Sequence, residues 1–233
     1  MHYTGLLSRW LILPFFALSF TVQADDAISS IMNGDEVKAV IEQKIELPKV
    51  ASKKLKGSQL IKELKSGGYV IFMRHAATEE GRDETEVDLE NCETQRNLSE
   101  KGLKQAKTIG SAIKKLGIPV GDVHTSPYCR CVDTASAVFG QAQTRPELTY
   151  AAALESEEER AEYSDTLLQL LSVTPEEGAN TVIVSHSVNL EEATGILPKP
   201  EGAIYVFKPT EEGYEHVGEI KPDFWDIFLL TAP

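Results

Sequence analysis

Short apolar segments alternate with longer amphipathic segments through most of the chain. Residues 69–73 are a continuous apolar run that ends abruptly in Arg74 and His75, and residues 181–185 form a second such run. Runs of this length predict strands that are buried on both faces of a sheet. Further strands are predicted over residues 120–126 and 150–154, and a hairpin is predicted over residues 202–220 with its turn at residues 211–213.

The amphipathic segments predict helices between these strands. The clearest helix lies between Ser99, a typical N-cap residue, and Gly117, a typical residue just past a helix end. Its predicted apolar stripe consists of Leu103, Ala106, Ile109 or Gly110, Ile113 and Leu116. Further helices are predicted over residues 58–66, 127–139 and 161–172. Strands that alternate with helices predict an α/β fold, a three-layer sandwich whose central sheet is mainly parallel and has helices on both faces.

The first residues have the three parts of a secretory signal. Arg9 supplies the positive start, residues 10–20 the apolar middle, and residues 22–24 a small-residue cleavage site. The apolar part is shorter than the roughly 20 residues that span a bilayer, which favours cleavage over an uncleaved anchor. We therefore expect a periplasmic or secreted product with no stable membrane insertion after cleavage. The expected organisation is a signal peptide over residues 1–24, an N-terminal extension over residues 25–57 with one short helix near residues 36–44, and one domain over residues 58–233.

The charge of the chain limits its partners. Asp and Glu number 36 against 23 Lys and Arg, which gives a formal net charge of −13. This charge disfavours binding to nucleic acid or to an anionic membrane, so we expect a small partner or a locally positive binding site. The sequence has no CxxC or HExxH spacing, and its five histidines lie far apart, so we expect no metal site.

Three cysteines, Cys92, Cys129 and Cys131, would lie in an oxidising compartment if the chain is exported. One disulfide and one free thiol is then the simplest arrangement. Cys129 and Cys131 are two residues apart on a predicted helix, where their side chains point in different directions. We therefore expect Cys92 to pair with Cys129 or with Cys131.

Basic side chains follow three of the predicted strands. Arg74 and His75 follow the first strand, and His186 follows the strand at residues 181–185. Arg130 lies in the first turn of a helix predicted to start at Pro127, where free backbone N–H groups and the helix dipole favour an anion. Because ligands bind beyond the carboxyl ends of parallel strands, these groups predict a positive phosphate pocket at one edge of the sheet.

The segments around these positions resemble the histidine phosphatase superfamily, branch 1, which has a phosphoglycerate-mutase-like fold, and in particular its exported phosphatases. The matching pieces, in the order of the family, are "FMRHAAT", "RNLSEKGLKQAKTIG", "TSPYCRCVDTA" and "VIVSHSVNL". Any single piece is a weak signal, because arginine–histidine pairs are common. The ordered set is specific, and it extends from about residue 69 to residue 194.

The resemblance implies an exported phosphomonoesterase that forms a phosphohistidine on His75. Arg74, Arg130 and His186 would bind the phosphate and stabilise the charge of the transition state, without a metal or other cofactor. Asn189 either helps to orient the phosphate or caps a turn. The partner would be a small phosphorylated substrate, which the sequence does not name, and the oligomeric state is equally open.

The group that protonates the leaving alcohol is less well defined. Family members often use an acidic residue from the loop after the strand that follows the second arginine, and Glu155 matches that position. Glu79 and Glu80, close to the expected nucleophile, are rivals, and Glu155 is equally consistent with a solvated acidic surface. Arg96 either lines the mouth of the pocket or forms a surface salt bridge.

Two other functions are consistent with the same residues. A mutase would use the same chemistry, but mutases retain the phosphorylated product and usually act on cytosolic substrates, so export argues against one. The alternative of a different class is a non-catalytic phospho-ligand-binding or regulatory module, because a site without a competent proton donor would bind phosphate without turnover.

Overall fold

A six-stranded sheet lies at the centre of the computed structural model, which describes residues 54–231. The strands are β1 (Val70–Arg74), β2 (Val120–Thr125), β3 (Gln143–Thr144), β4 (Asn180–Ser185), β5 (Ile204–Thr210) and β6 (Gly213–Ile220). Their order in the sheet is β3-β2-β4-β1-β5-β6. Strands β1 to β4 pair in parallel, whereas β5 is antiparallel to β1 and forms a hairpin with β6.

Helices cover both faces of this sheet. They are α1 (Gly57–Ser66), α2 (Glu100–Leu116), α3 (Cys129–Phe139), α4 (Glu157–Ser172), α5 (Ser187–Thr194) and α6 (Phe224–Thr231). Buried side chains of α1, α2, α3 and α6 belong to one apolar cluster, and those of α4 and α5 belong to a second. The predicted three-layer α/β fold is therefore confirmed.

The continuous apolar run of β1 follows from its position between the two clusters. Ile71 and Met73 pack in the cluster of α1 to α3, whereas Val70 and Phe72 pack in the cluster of α4 and α5. Burial of each such side chain stabilises the fold by about 1.5–3 kcal/mol. The first polar residue of the run, Arg74, comes where β1 reaches the edge of the sheet.

Both predicted ends of α2 are confirmed. The side chain of Ser99 accepts a hydrogen bond from the N–H of Gly102, and Gly117 has the left-handed conformation (φ 68°) that ends the helix. The predicted stripe is wrong at one position, because Leu103 is 41% exposed. Gly102 faces inward instead, and any Cβ at this position would overlap the carbonyl oxygen of Ala77. The helix therefore packs directly against the backbone that follows His75.

Other boundaries also differ from those predicted. Residues 150–154 do not form a strand, because Ala151–Ala153 is a turn of 3-10 helix. Helix α3 begins at Cys129 with Tyr128 as its N-cap, two residues later than a start at Pro127. Strand β3 and helix α6 were not predicted. Helix α4 starts earlier than expected, and two more 3-10 turns are present, Cys92–Thr94 and Pro146–Leu148.

The predicted signal peptide, the short helix near residues 36–44 and most of the N-terminal extension lie outside the described residues. Among residues 54–231, no helix combines the length and the apolar character that crossing a membrane requires.

Candidate active site

Three neighbouring parallel strands bring the predicted site residues to one edge of the sheet. Strand β4 lies between β2 and β1, so the carboxyl ends of all three strands are adjacent. The N–H of His75 donates to the carbonyl of Ser185 (3.0 Å), and the N–H of Ser126 donates to the carbonyl of Val184 (2.9 Å). These bonds continue the sheet just past its end. They hold His75 and Ser126 on either side of the end of β4, where His186 follows Ser185.

His75 is buried, and a hydrogen bond defines the protonation of one of its ring nitrogens. Its Nδ1 lies 2.9 Å from the carbonyl oxygen of Ala76, which can only accept, so Nδ1 carries a proton. Burial lowers the pKa of His75 to about 3, and the positive charges of Arg130 and Arg74 act in the same direction. The ring is therefore neutral at neutral pH and carries its lone pair on Nε2, which is the state that a nucleophile requires.

His186 lies beside His75, with 5.5 Å between the ring centroids. Its Nε2 is 2.8 Å from the hydroxyl of Ser126, which fixes the orientation of the ring. Burial lowers the pKa of His186 well below 6.5, and the positive charges of Arg130 and Arg74 act in the same direction. The site thus contains two neutral histidines next to the buried Arg130 and the half-buried Arg74.

Arg130 is only 1% exposed, although it is charged. Its Nη1 donates to Oδ1 of Asp83 (2.8 Å) and to the carbonyl of Arg96 (3.4 Å), and its guanidinium lies 4.4 Å from the ring centroid of Tyr128 and 5.5 Å from that of Tyr150. These contacts compensate part of the cost of burying the charge. The Nε atom of Arg130 is buried and has no hydrogen-bond partner within the described residues.

Arg74 is held in a similar way. Its Nη2 donates to Oε1 of Glu201 (3.3 Å), its Nη1 donates to the carbonyl of Pro198 (3.3 Å), and its Nε is also buried without a partner in the described chain. A buried N–H group without an acceptor costs roughly 1–3 kcal/mol. Two such groups on two cationic side chains indicate a site that is built for an anion.

Glu201 organises the positive groups around Arg74. Its carboxylate accepts from the N–H of Thr78 (3.1 Å) and the hydroxyl of Thr78 (3.0 Å), and it forms ion pairs with Arg74 (3.3 Å) and Arg96 (3.4 Å). Arg96 also bonds to the hydroxyl of Thr78. Burial opposes the ionisation of Glu201, but the hydrogen bond from Thr78 and the nearby positive charges lower its pKa overall.

A disulfide fixes one wall of the site. Cys92 is bonded to Cys129, the first residue of α3, and Cys131 is a free, buried thiol. The N–H of Cys129 also donates to Oε1 of Gln95 (2.8 Å). The prediction of one disulfide that involves Cys92 is confirmed, and the structure selects Cys129 as its partner. The bond joins the loop that carries Asp83 and Arg96 to the helix that carries Arg130.

The four histidine and arginine side chains open into one cavity of about 730 Å³. A cavity of this size accommodates an ester much larger than orthophosphate. Its wall consists of Arg74, His75, Gly81, Arg82, Asp83, Glu84, Thr85, Val87, Leu89, Arg96, Tyr128, Arg130, Thr149, Tyr150, Ala152, Ala153, His186 and Ser187. Within the described residues, no group of three or more His, Cys, Asp or Glu side chains is arranged to hold a metal ion.

The structure brings together four of the six predicted site residues in one cavity, namely Arg74, His75, Arg130 and His186. Glu155 is exposed and is not part of the cavity wall, and the rival residues Glu79 and Glu80 are also exposed and outside it. Asn189 is buried beneath the wall, where its Oδ1 accepts from the N–H of Ala151 (3.1 Å) and its Nδ2 donates to the carbonyl of Thr149 (2.6 Å). This side chain holds the segment next to Tyr150.

Several residues of the site have no role in the sequence analysis. Four of them contact the predicted arginines and His186 only when the chain is folded. They are Asp83, Glu201, Tyr128 and Tyr150. Arg96 was predicted either to line the mouth of the pocket or to form a salt bridge. It does both, because it lines the cavity and pairs with Glu201. Of these residues, the sequence gives a signal for Tyr128, because the "SPYCRC" motif places it two residues before Arg130.

Comparison with known families agrees with this geometry. Residues 70–155 match the histidine phosphatase superfamily (branch 1). The matched segment begins with β1 and contains Arg74, His75 and Arg130. The match covers less than half of the chain and supports the predicted family for that segment, whereas the exported type stays a prediction. No curated protein sequence matches the chain.

Solved structures with a similar fold have low sequence identity to the chain. The protein histidine phosphatase SixA in complex with tungstate is 19% identical, with a TM-score of 0.48 over 66% of this chain and 97% of that one. A phosphoserine phosphatase mutant from Entamoeba histolytica in complex with phosphoserine is 14% identical, with a TM-score of 0.46 over 66% and 97% of the two chains. A mycobacterial glucosyl-3-phosphoglycerate phosphatase in complex with VO3 is 16% identical, with a TM-score of 0.44 over 61% and 93%.

The buried histidines predict a loss of stability in weak acid. The folded-state pKa values of His75 and His186 lie below the usual 6.5, so the unfolded chain binds more protons as the pH falls below that value. Between about pH 7 and pH 5.5 each histidine should reduce the free energy of unfolding by about 1 kcal/mol. Urea unfolding in a phosphate-free buffer measures this loss. The His75→Asn variant should lose less stability over the same interval, and an unchanged pH dependence would contradict the burial of a neutral ring.

The disulfide predicts that reduction weakens both the fold and the site. Opening the bond across its sequence separation of 37 residues should lower the free energy of unfolding by about 2–4 kcal/mol, because the unfolded chain gains entropy. It should also weaken the binding of inorganic phosphate, because the loop that carries Asp83 and Arg96 is released. Urea unfolding and phosphate binding are measured with and without dithiothreitol. The double variant Cys92→Ser, Cys129→Ser is the control, and its stability should not change with the reductant. If the reductant also leaves the wild-type protein unchanged, the prediction is refuted.

Proposed function

We propose that the chain hydrolyses phosphate monoesters through a phosphohistidine intermediate on His75. The observation that carries the proposal is the cavity that Arg74, Arg130 and His186 line together with a neutral His75; the Nε donors of both arginines are buried and have no partner within residues 54–231. Phosphate is the anion that matches such a site best, because its oxygens accept paired hydrogen bonds from guanidinium groups. The match of residues 70–155 to the histidine phosphatase superfamily (branch 1) supports the same reaction.

The reaction has two displacement steps. Nε2 of His75 attacks phosphorus and the ester oxygen leaves as an alcohol, and water then attacks the phosphohistidine and releases phosphate. Arg74, Arg130 and His186 bind the phosphate oxygens in both steps and stabilise the charge that builds up in each transition state. The proposed reaction uses these side chains without a metal ion or other cofactor.

We propose an exported location for this activity. The apolar N-terminal segment with its small residues at positions 22–24 supports export, and the disulfide between Cys92 and Cys129 supports an oxidising compartment. The substrate is a small phosphorylated molecule. The cavity walls contain both tyrosines and arginines, which favours an ester that carries polar or aromatic groups besides its phosphate.

Hydrolysis of 4-nitrophenyl phosphate tests the proposed reaction. The wild-type chain should release nitrophenol, and the His75→Ala variant should lose about 10³-fold or more of kcat, because the nucleophile is absent. The His124→Gln variant is the matched control, since His124 lies outside the cavity and binds Arg145 (3.3 Å). Its activity should stay close to that of the wild type. Tight binding of inorganic phosphate without any turnover would identify a phosphate-binding module instead of an enzyme.

A further inference from the structure

The cavity wall narrows the search for the residue that protonates the leaving alcohol. Within residues 54–231, the acidic side chains of the wall are Asp83 and Glu84. Glu155, Glu79 and Glu80 are exposed and lie outside it. A general acid has to come within hydrogen-bond distance of the leaving oxygen, so a carboxyl group on the wall is favoured over one that is directed to solvent.

Asp83 is the one of the two that reaches the phosphate-binding groups. Its Oδ1 accepts from Nη1 of Arg130 (2.8 Å) and from the N–H of Arg96 (2.7 Å), and its side chain is 17% exposed. No hydrogen bond to Oδ2 is found within the described residues. Glu84 is exposed, and its backbone N–H donates to the carbonyl of Thr94 (3.0 Å).

The loop around Asp83 is held in place before any substrate binds. Glu84 is tied to Thr94, and the disulfide of Cys92 anchors the end of the same loop on α3. The carboxyl group therefore lies at a defined position beside Arg130. Preorganisation of this kind is what proton transfer in an active site requires.

We propose that Asp83 is the general acid and base of the reaction, an inference that rests on the proposed phosphatase function. In the first step the bond between Nε2 of His75 and phosphorus forms, the bond between phosphorus and the ester oxygen breaks, and the proton of the Asp83 carboxyl moves to that oxygen. In the second step Asp83 takes a proton from the attacking water, and the bonding electrons of the phosphohistidine return to Nε2. The carboxyl is protonated again when phosphate leaves.

Substitution by asparagine separates proton transfer from positioning. In Asp83→Asn the amide oxygen can still accept from Arg130 and Arg96, but the side chain has no acidic proton to give. An aryl phosphate has a good leaving group that needs little protonation, whereas an alkyl phosphate depends on the acid. We therefore expect kcat/KM for 2-phenylethyl phosphate to fall by about 10²–10³-fold and kcat/KM for 4-nitrophenyl phosphate to change by less than about threefold. A burst of nitrophenol should precede slow turnover, because the second step lacks its base.

Further variants complete the design. Asp83→Ala removes the acceptor as well and should reduce kcat/KM for both esters, and Glu86→Gln, an exposed residue of the same loop, should change neither. Equal losses of both esters in Asp83→Asn, no loss of either, or a loss selective for the alkyl ester in Glu84→Gln or Glu155→Gln instead would overturn the role of Asp83. A wild-type chain that hydrolyses neither ester contradicts the phosphatase function itself, so the two failures are distinguishable.

Discussion

The guanidinium of Arg130 lies almost wholly out of solvent, with one edge bound to Asp83 and its face against Tyr128. Burying a charge costs several kcal/mol unless other groups compensate it. Here the compensation is partial, because Nε has no acceptor in the described chain. An acceptor for this group would therefore lower the cost of its burial. Asp83 binds the side chain from its loop, and the disulfide joins that loop to the helix that carries Arg130.

Burial also keeps the two histidines neutral. It lowers the pKa of His75 and of His186, and the positive charges of Arg130 and Arg74 act in the same direction. A protonated ring has no lone pair on Nε2 and cannot be the nucleophile of the proposed reaction. In that reaction the arginines supply the charge and His75 supplies the electrons. The arrangement also places a positive cavity on a chain whose formal net charge is −13.

The sequence predicted the parts of the site that depend on short stretches of chain. Arg74, His75 and His186 follow apolar strands directly, so the strand pattern alone places them at one edge of the sheet. The ends of α2 were predictable because Ser99 and Gly117 act through local hydrogen bonds and backbone conformation. The exposed position of Leu103 was not, because the close packing of Gly102 on Ala77 is a tertiary contact.

The residues that sequence analysis missed are linked to the site over long separations in the chain. Asp83 lies 47 residues from Arg130, and Glu201 lies 127 residues from Arg74. Neither belongs to an apolar pattern, and both lie in loops, where spacing carries little information. The prediction of a strand at residues 150–154 was wrong for a related reason. Its alanines fit a strand or a helical turn equally well, and the fold makes it a turn that brings Tyr150 against the ring of His186.

Trapping of the covalent intermediate tests the central claim most directly. The chain is mixed rapidly with 4-nitrophenyl phosphate, quenched in alkaline denaturant and digested, and the phosphorylated peptide is identified by mass spectrometry. The account predicts one phosphoryl group on His75 that survives alkali and is lost in acid, and none in His75→Ala. A phosphoryl group on a serine or cysteine, or steady turnover with no phosphorylated protein at any time, would contradict it.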